Sequence, residues 1–161
     1  MCEQLTSAAL LQPAAPEPLW MPETSARFVC KHRIDSPHPY RFFEDMMVTV
    51  RSPGAAYLVI KFDAKTSLAP GDRIHFFRDE TASAVWGEVG GYTGTNMPGY
   101  GNNHNWPGLG NTPPLVIPTD RCVIRLRSNQ QASIQVGMQA QWGFGIDVEA
   151  PVCGAAALRL A

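Results

Sequence analysis

The sequence predicts an all-β sandwich. Three observations carry that reading. Short stretches alternate apolar and polar residues with a period of two, Gly and Pro number 14 each and punctuate those stretches, and no segment shows a convincing amphipathic helical period.

The elements follow in chain order. Residues 1–33 stand apart: "LLQPAAPEPLWMPE" carries four prolines between positions 13 and 22 and no clean period, which predicts a Pro-rich leader, loosely docked or disordered. Leu10, Leu11, Trp20 and Phe28 are the residues with which it would lie along a neighbouring surface. A β domain is expected over 34–150. In "MMVTVR", Val48 and Val50 alternate with Met47, Thr49 and Arg51, and a Pro-Gly turn follows. In "AYLVIKFD", Leu58, Ile60 and Phe62 point one way and Tyr57, Val59 and Lys61 the other. "DRIHFFRD" sets Ile74 and Phe76 against Arg73, His75 and Phe77, and the turn between Asp63 and Asp72 reads as a hairpin. "PLVIP" is a short strand bounded by prolines. "RCVIRLRS" turns Cys122, Ile124 and Leu126 inward and Arg121, Arg125 and Arg127 outward. "SIQVGM" is a weak strand, and "WGFGIDVEA" places Phe144, Ile146 and Val148 inward with Asp147 and Glu149 outward. That makes about six to eight strands, each sheet packed on one face with its polar face outward. The stretch 151–161, with "GAAALRLA", is a short tail that stops as if the chain were a module of a longer protein.

Composition removes several function classes. A net charge of -1 and a pI near 6.4 supply no electrostatic footprint for nucleic acid or an anionic membrane. No apolar run approaches the roughly 20 residues of a membrane span. Glu3 sits where a secretory signal needs a basic region, and there is no N-x-S/T sequon. The cysteines, Cys2, Cys30, Cys122 and Cys153, are scattered singly, without a C-x-x-C pair, so neither a disulfide framework nor a structural zinc is expected. An intracellular, reduced setting in the cytoplasm is the expectation. His32, His38, His75 and His104 form no H-x-x-x-H or H-x-E, and there is no nucleophile elbow or P-loop, so an enzyme is not expected.

The chain from Val89 to Pro114 is a long Gly- and Asn-rich loop, of the kind that is functional or pinned down by its own side chains. Tyr92, Tyr100, His104 and Trp106 are its candidate ligand-binding residues, because planar rings beside Asn and Gly amides suit carbohydrate or proline-rich ligands. The same aromatics, with Trp86, also read as anchors that hold the loop to the sandwich. Arg121, Arg125 and Arg127 form a basic stripe, read as a solvated face or a patch that meets an acidic partner.

Together these marks resemble a CUB-like domain. They are Ser36-Pro37-His38-Pro39-Tyr40, Pro53-Gly54-Ala55, Phe62-Asp63, Asp72 before an apolar strand, and Trp142-Gly143-Phe144. The similarity runs from Asp35 to Ala150 and is to the cysteine-poor kind found in large intracellular multidomain proteins of the ubiquitin-ligase type. It implies a jelly-roll β-sandwich of two antiparallel sheets with a long decorated loop. The implied role is recognition of a protein partner through loops at one end, with calcium-assisted carbohydrate binding as the alternative. The resemblance further implies a calcium cluster mapped to Asp63, Asp72 and Asn129. A hard cation wants six to eight oxygens, several charged. Asn129 stands where an acid is usual, so the resemblance implies no calcium or weakly bound calcium, at about 10⁻⁴–10⁻³ M or poorer. Read from the residues alone, Asp63 and Asp72 instead cap a turn by bonding backbone N–H groups.

Overall fold

The computed structural model describes residues 28–41, 45–95, 103–128 and 142–152. Eight strands form two four-stranded antiparallel sheets. The first contains β1 (Phe28–Asp35), β3 (Leu58–Phe62), β8 (Leu115–Ile117) and β10 (Gly145–Val152), in the order β1-β10-β3-β8. The second contains β2 (Asp45–Arg51), β4 (Arg73–Phe77), β5 (Val85–Trp86) and β9 (Arg121–Arg127), in the order β2-β9-β4-β5. A small hairpin of β6 (Gly94–Thr95) and β7 (Asn103–His104) lies within the long loop. Within the two four-stranded sheets only β4 and β5 are consecutive; the other sandwich strands alternate between the layers along the described chain.

The period-two pattern produces this core directly. Leu58, Ile60 and Phe62 from the first sheet and Ile74, Phe76, Ile124 and Leu126 from the second are buried, joined by Phe144, Ile146 and Val148. Side chains of one layer meet those of the other: the Phe62 and Phe76 rings stand edge to face at 6.1 Å between centroids. "PLVIP" is β8, as the sequence indicates. Phe77 departs from expectation. It lies in the outward row of β4 yet is buried, opposite Val85 and Val123 and beside the His75 ring.

Two readings need correction. First, β1 begins at Phe28, before the boundary the sequence suggests at residue 34, and it pairs with β10 from Phe28↔Val152 to Asp35↔Gly145. Its half-buried row is Cys30, His32 and Ile34. A histidine in that row, between two basic residues, hides the alternation. Second, Asp63 and Asp72 do not flank a hairpin. β3 pairs with β10 and β8, whereas β4 pairs with β9 and β5, so the 63–72 segment crosses from one sheet to the other. Alternation specifies which face a residue takes; it does not specify which strand lies beside it. Residues 1–27, the "SIQVGM" strand and the tail beyond Val152 lie outside the described residues.

The long loop is fastened by its aromatics. Trp106, 1% exposed, stacks on Phe62 at 4.9 Å, and Tyr92 contacts both Phe62 and Phe76. Phe62 N–H donates to the Pro107 carbonyl at 2.8 Å. The chain then turns at Gly108 (φ +85°), where a Cβ would fall 2.9 Å from the Lys61 side chain, so only glycine fits that approach. Trp106→Ala should cost about 3–5 kcal/mol in urea unfolding, by loss of burial and creation of a cavity. A cost below about 1 kcal/mol would mean that the indole is not part of the core.

Candidate functional site

Four segments converge at one end of the sandwich: 35–41, 63–72, 92–95 and 142–144. Backbone bonds knit them together. Ser67 and Gly143 exchange N–H···O bonds at 2.8 and 3.0 Å, Leu68 N–H donates to Gly94 O at 2.8 Å, and Ser36 N–H donates to Phe144 O at 3.0 Å. The buried Ser36 hydroxyl accepts from Phe144 N–H at 2.9 Å. Gly143 has φ +107°, and a Cβ there would lie 2.1 Å from Ser36 Oγ. The Trp142-Gly143-Phe144 run therefore needs its glycine for close passage of the 36–38 strand end.

Asp72 sits below this surface with no solvent exposure. Its Oδ2 accepts from the Tyr40 hydroxyl at 2.5 Å, and the same hydroxyl accepts from Ala69 N–H at 2.8 Å. Burial, reinforced by Asp72, pushes the Tyr40 phenol far above its ordinary value, so it remains a donor. Around it Asp72 N–H donates to Ala69 O and the Thr93 hydroxyl donates to Asp72 O. The proline-flanked "SPHPY" thus delivers Tyr40 to a buried acid, consistent with the inward packing expected of it.

Asp63 belongs to a different cluster. Its Oδ1 accepts from Lys65 N–H at 2.8 Å, closing the turn, and its Oδ2 accepts from Arg33 at 2.8 Å. The Arg33 guanidinium also reaches Asp35 at 3.0 Å and Asp147 at 3.3 Å, so three carboxylates share one cation. Arg33 holds the Asp35 carboxyl below its usual range. The Lys65 amide, then Arg33, does the same for Asp63. Beside them the His38 ring stacks on Trp142 at 3.7 Å and 11°. His38 Nδ1 faces Trp142 O at 2.8 Å and Nε2 faces Asp35 Oδ1 at 3.2 Å; a neutral ring donates to one of these at a time.

The sequence-derived candidates are therefore dispersed. Asp63 is engaged by Arg33 and a backbone amide, and Asp72 by Tyr40. Asn129 lies outside the described residues. Among the described residues no group of three or more His, Cys, Asp or Glu is arranged to hold a metal ion. In this arrangement both Asp63 oxygens accept hydrogen bonds, from Lys65 N–H and Arg33, and Asp72 Oδ2 accepts from Tyr40. Of the loop aromatics, Tyr92 and Trp106 have their rings in the core, which corrects their assignment as a ligand platform. His104 is half-buried and its Nδ1 accepts from Trp106 N–H at 3.4 Å; Tyr100 lies outside the described residues. Sequence reasoning missed Arg33, Asp35 and Asp147. The signal was present: an alternating β1 carried back to Phe28 puts Arg33 opposite Asp147 on β10.

No family model, curated protein or solved structure matches the chain.

The lowered carboxyls set a pH dependence. A folded pKa below the ordinary value near 3.8 gives stability that is complete above that value and is lost as pH falls through the folded pKa. The thermal midpoint should drop steeply below about pH 4. Arg33→Met should shrink the difference in midpoint between pH 7 and pH 3; an unchanged difference would mean that the three carboxylates do not depend on Arg33. Tyr40→Phe should cost about 1–3 kcal/mol or more in urea unfolding, since Asp72 loses a donor and Ala69 N–H its acceptor. A neutral effect would contradict the buried tie.

Proposed function

We propose that this chain is a non-catalytic recognition module that binds a protein partner through the loop end. The single observation behind this reading is the knitting of four separate segments into one surface by backbone bonds. It bears the Arg33 ion cluster on its rim and the His38–Trp142 stack beside it. A surface held rigid before binding loses little conformational freedom on association, and an incompletely buried Trp next to charged groups is a common interface anchor. Asp35 and Asp63 also argue against acid–base catalysis. Their carboxyls are held below their usual range, whereas a general acid or base at neutral pH needs a carboxyl raised toward it.

The setting we propose is the CUB-like, intracellular one, with the module serving within a larger multidomain protein of the ubiquitin-ligase type. A calcium-assisted carbohydrate-binding module is the second reading, favoured by Trp142, whose indole is partly open at the same end.

Two measurements separate these readings. Quantitative affinity capture with the folded chain should yield a protein partner that Trp142→Ala and His38→Ala both lose by at least about tenfold while remaining folded. Retention by both variants would overturn the loop-end assignment. A glycan array with and without calcium should show no sugar binding; binding that requires calcium would establish the second reading instead. Calorimetric titration with calcium in the millimolar range should give weak or no heat. Asn129→Asp should strengthen it if Asn129 completes the cluster, and unchanged affinity would remove Asn129 from it.

A further inference from the structure

The outer faces of the two sheets differ in how their charges are opposed. On the first sheet, cations stand opposite anions on neighbouring strands: Lys31↔Glu149, Arg33↔Asp147 and Lys61↔Asp147. That is the arrangement in which cross-strand pairs stabilise a sheet. On the second sheet arginine stands opposite arginine at two positions, Arg73↔Arg127 between β4 and β9 and Arg51↔Arg121 between β2 and β9, while on its other side Arg127 stands opposite Asp45 of β2. Like charges directly opposite destabilise a sheet, so this face has given up stability that its sister face retains.

Two local acids, Asp45 and Glu80, offset part of this charge against five arginines, Arg51, Arg73, Arg121, Arg125 and Arg127. Asp45 pairs with Arg125 through two bonds of 2.7 and 2.8 Å, and Glu80 pairs with Arg121 at 3.1 Å. Among the described residues Arg51 and Arg127 make no ion pair, and Arg73 bonds only the Gly90 carbonyl. All three are exposed. His75, in the row between Arg73 and Phe77, has its pKa lowered by burial and then by Arg73, Arg125 and Arg127. Met47, opposite Arg125, is 42% exposed and adds apolar surface between the charges.

We propose that the outer face of the β2–β9–β4 layer is a docking surface for an acidic, extended segment of a partner protein. Guanidinium groups here repeat at the spacings of the sheet, about 5 Å across strands and about 7 Å between alternate residues along one. An extended peptide presents alternate side chains about 7 Å apart, so carboxylates two positions apart match Arg125 and Arg127 on β9, with Arg73 of β4 beside Arg127. Arginine forks bind carboxylates with two parallel bonds, as Arg125 already does with Asp45. The chain as a whole carries -1, which gives no long-range attraction for a polyanion such as nucleic acid and favours a short, locally matched partner.

Fluorescence anisotropy with a labelled peptide alternating glutamate and serine tests it, against a glutamine–serine control and a single-stranded oligonucleotide. The glutamate peptide should bind, more weakly as salt is raised. The Arg73→Thr/Arg127→Thr double variant should lose about tenfold in affinity with no fall in thermal midpoint, because a repulsion is removed along with the site. Trp142→Ala should leave this binding intact, which separates it from the loop-end function. Absence of binding, equal binding of the glutamine peptide, or full affinity in the double variant would each overturn the proposal. So would tighter binding of the oligonucleotide, which would reassign the face to nucleic acid.

Discussion

The architecture of the loop end rests on Asp72. A fully buried carboxyl must find donors, and an unmet one destabilises the fold by several kcal/mol. Its partner Tyr40 comes from the segment that leaves β1, and the same hydroxyl receives Ala69 N–H from the crossing between β3 and β4. Thr93, at the start of the long loop, bonds the Asp72 carbonyl. One acid therefore fixes three pieces of chain that would otherwise be separate loops. The exposed cluster around Arg33 is built on that base: Asp35 and Asp63 hold their positions because the segments carrying them are already pinned.

The sandwich thus presents surfaces of different character. Its first sheet is internally balanced, with salt bridges that lie across strands and need no outside partner. Its loop end is rigid and mixed in charge. Its second sheet carries an excess of arginine over its local acids, Asp45 and Glu80, with two arginine pairs facing each other. Small energies at exposed pairs are usually not worth interpretation. Here the contrast between two faces of one molecule, built from the same strand geometry, is what gives the second sheet meaning.

Much of the fold was legible in the sequence. Leu58, Ile60 and Phe62, or Phe144, Ile146 and Val148, alternate so cleanly that their burial follows from the pleat. β1 was not legible, because His32 occupies its inward row and "CKHR" looks solvated throughout. The candidate site was harder still. Asp63 and Asp72 are near in sequence, yet one faces the rim and the other the interior, since the intervening residues cross between sheets. Periodicity contains no information about that crossing. The loop aromatics were readable as rings that matter, while the choice between anchor and platform depended on whether Phe62 lay beneath Trp106. The opposed arginines were visible only as a stripe on β9; their repulsive partners, Arg73 and Arg51, come from strands distant in sequence.

The central claim is that the buried Tyr40–Asp72–Ala69 tie organises the loop end. Native-state hydrogen exchange of the Ala69 amide, measured with and without millimolar calcium, tests it most directly. The account predicts strong protection, close to that of core amides such as Ile60, in calcium-free buffer, with no change on adding calcium. Rapid exchange at Ala69 that slows only when calcium is present would contradict it.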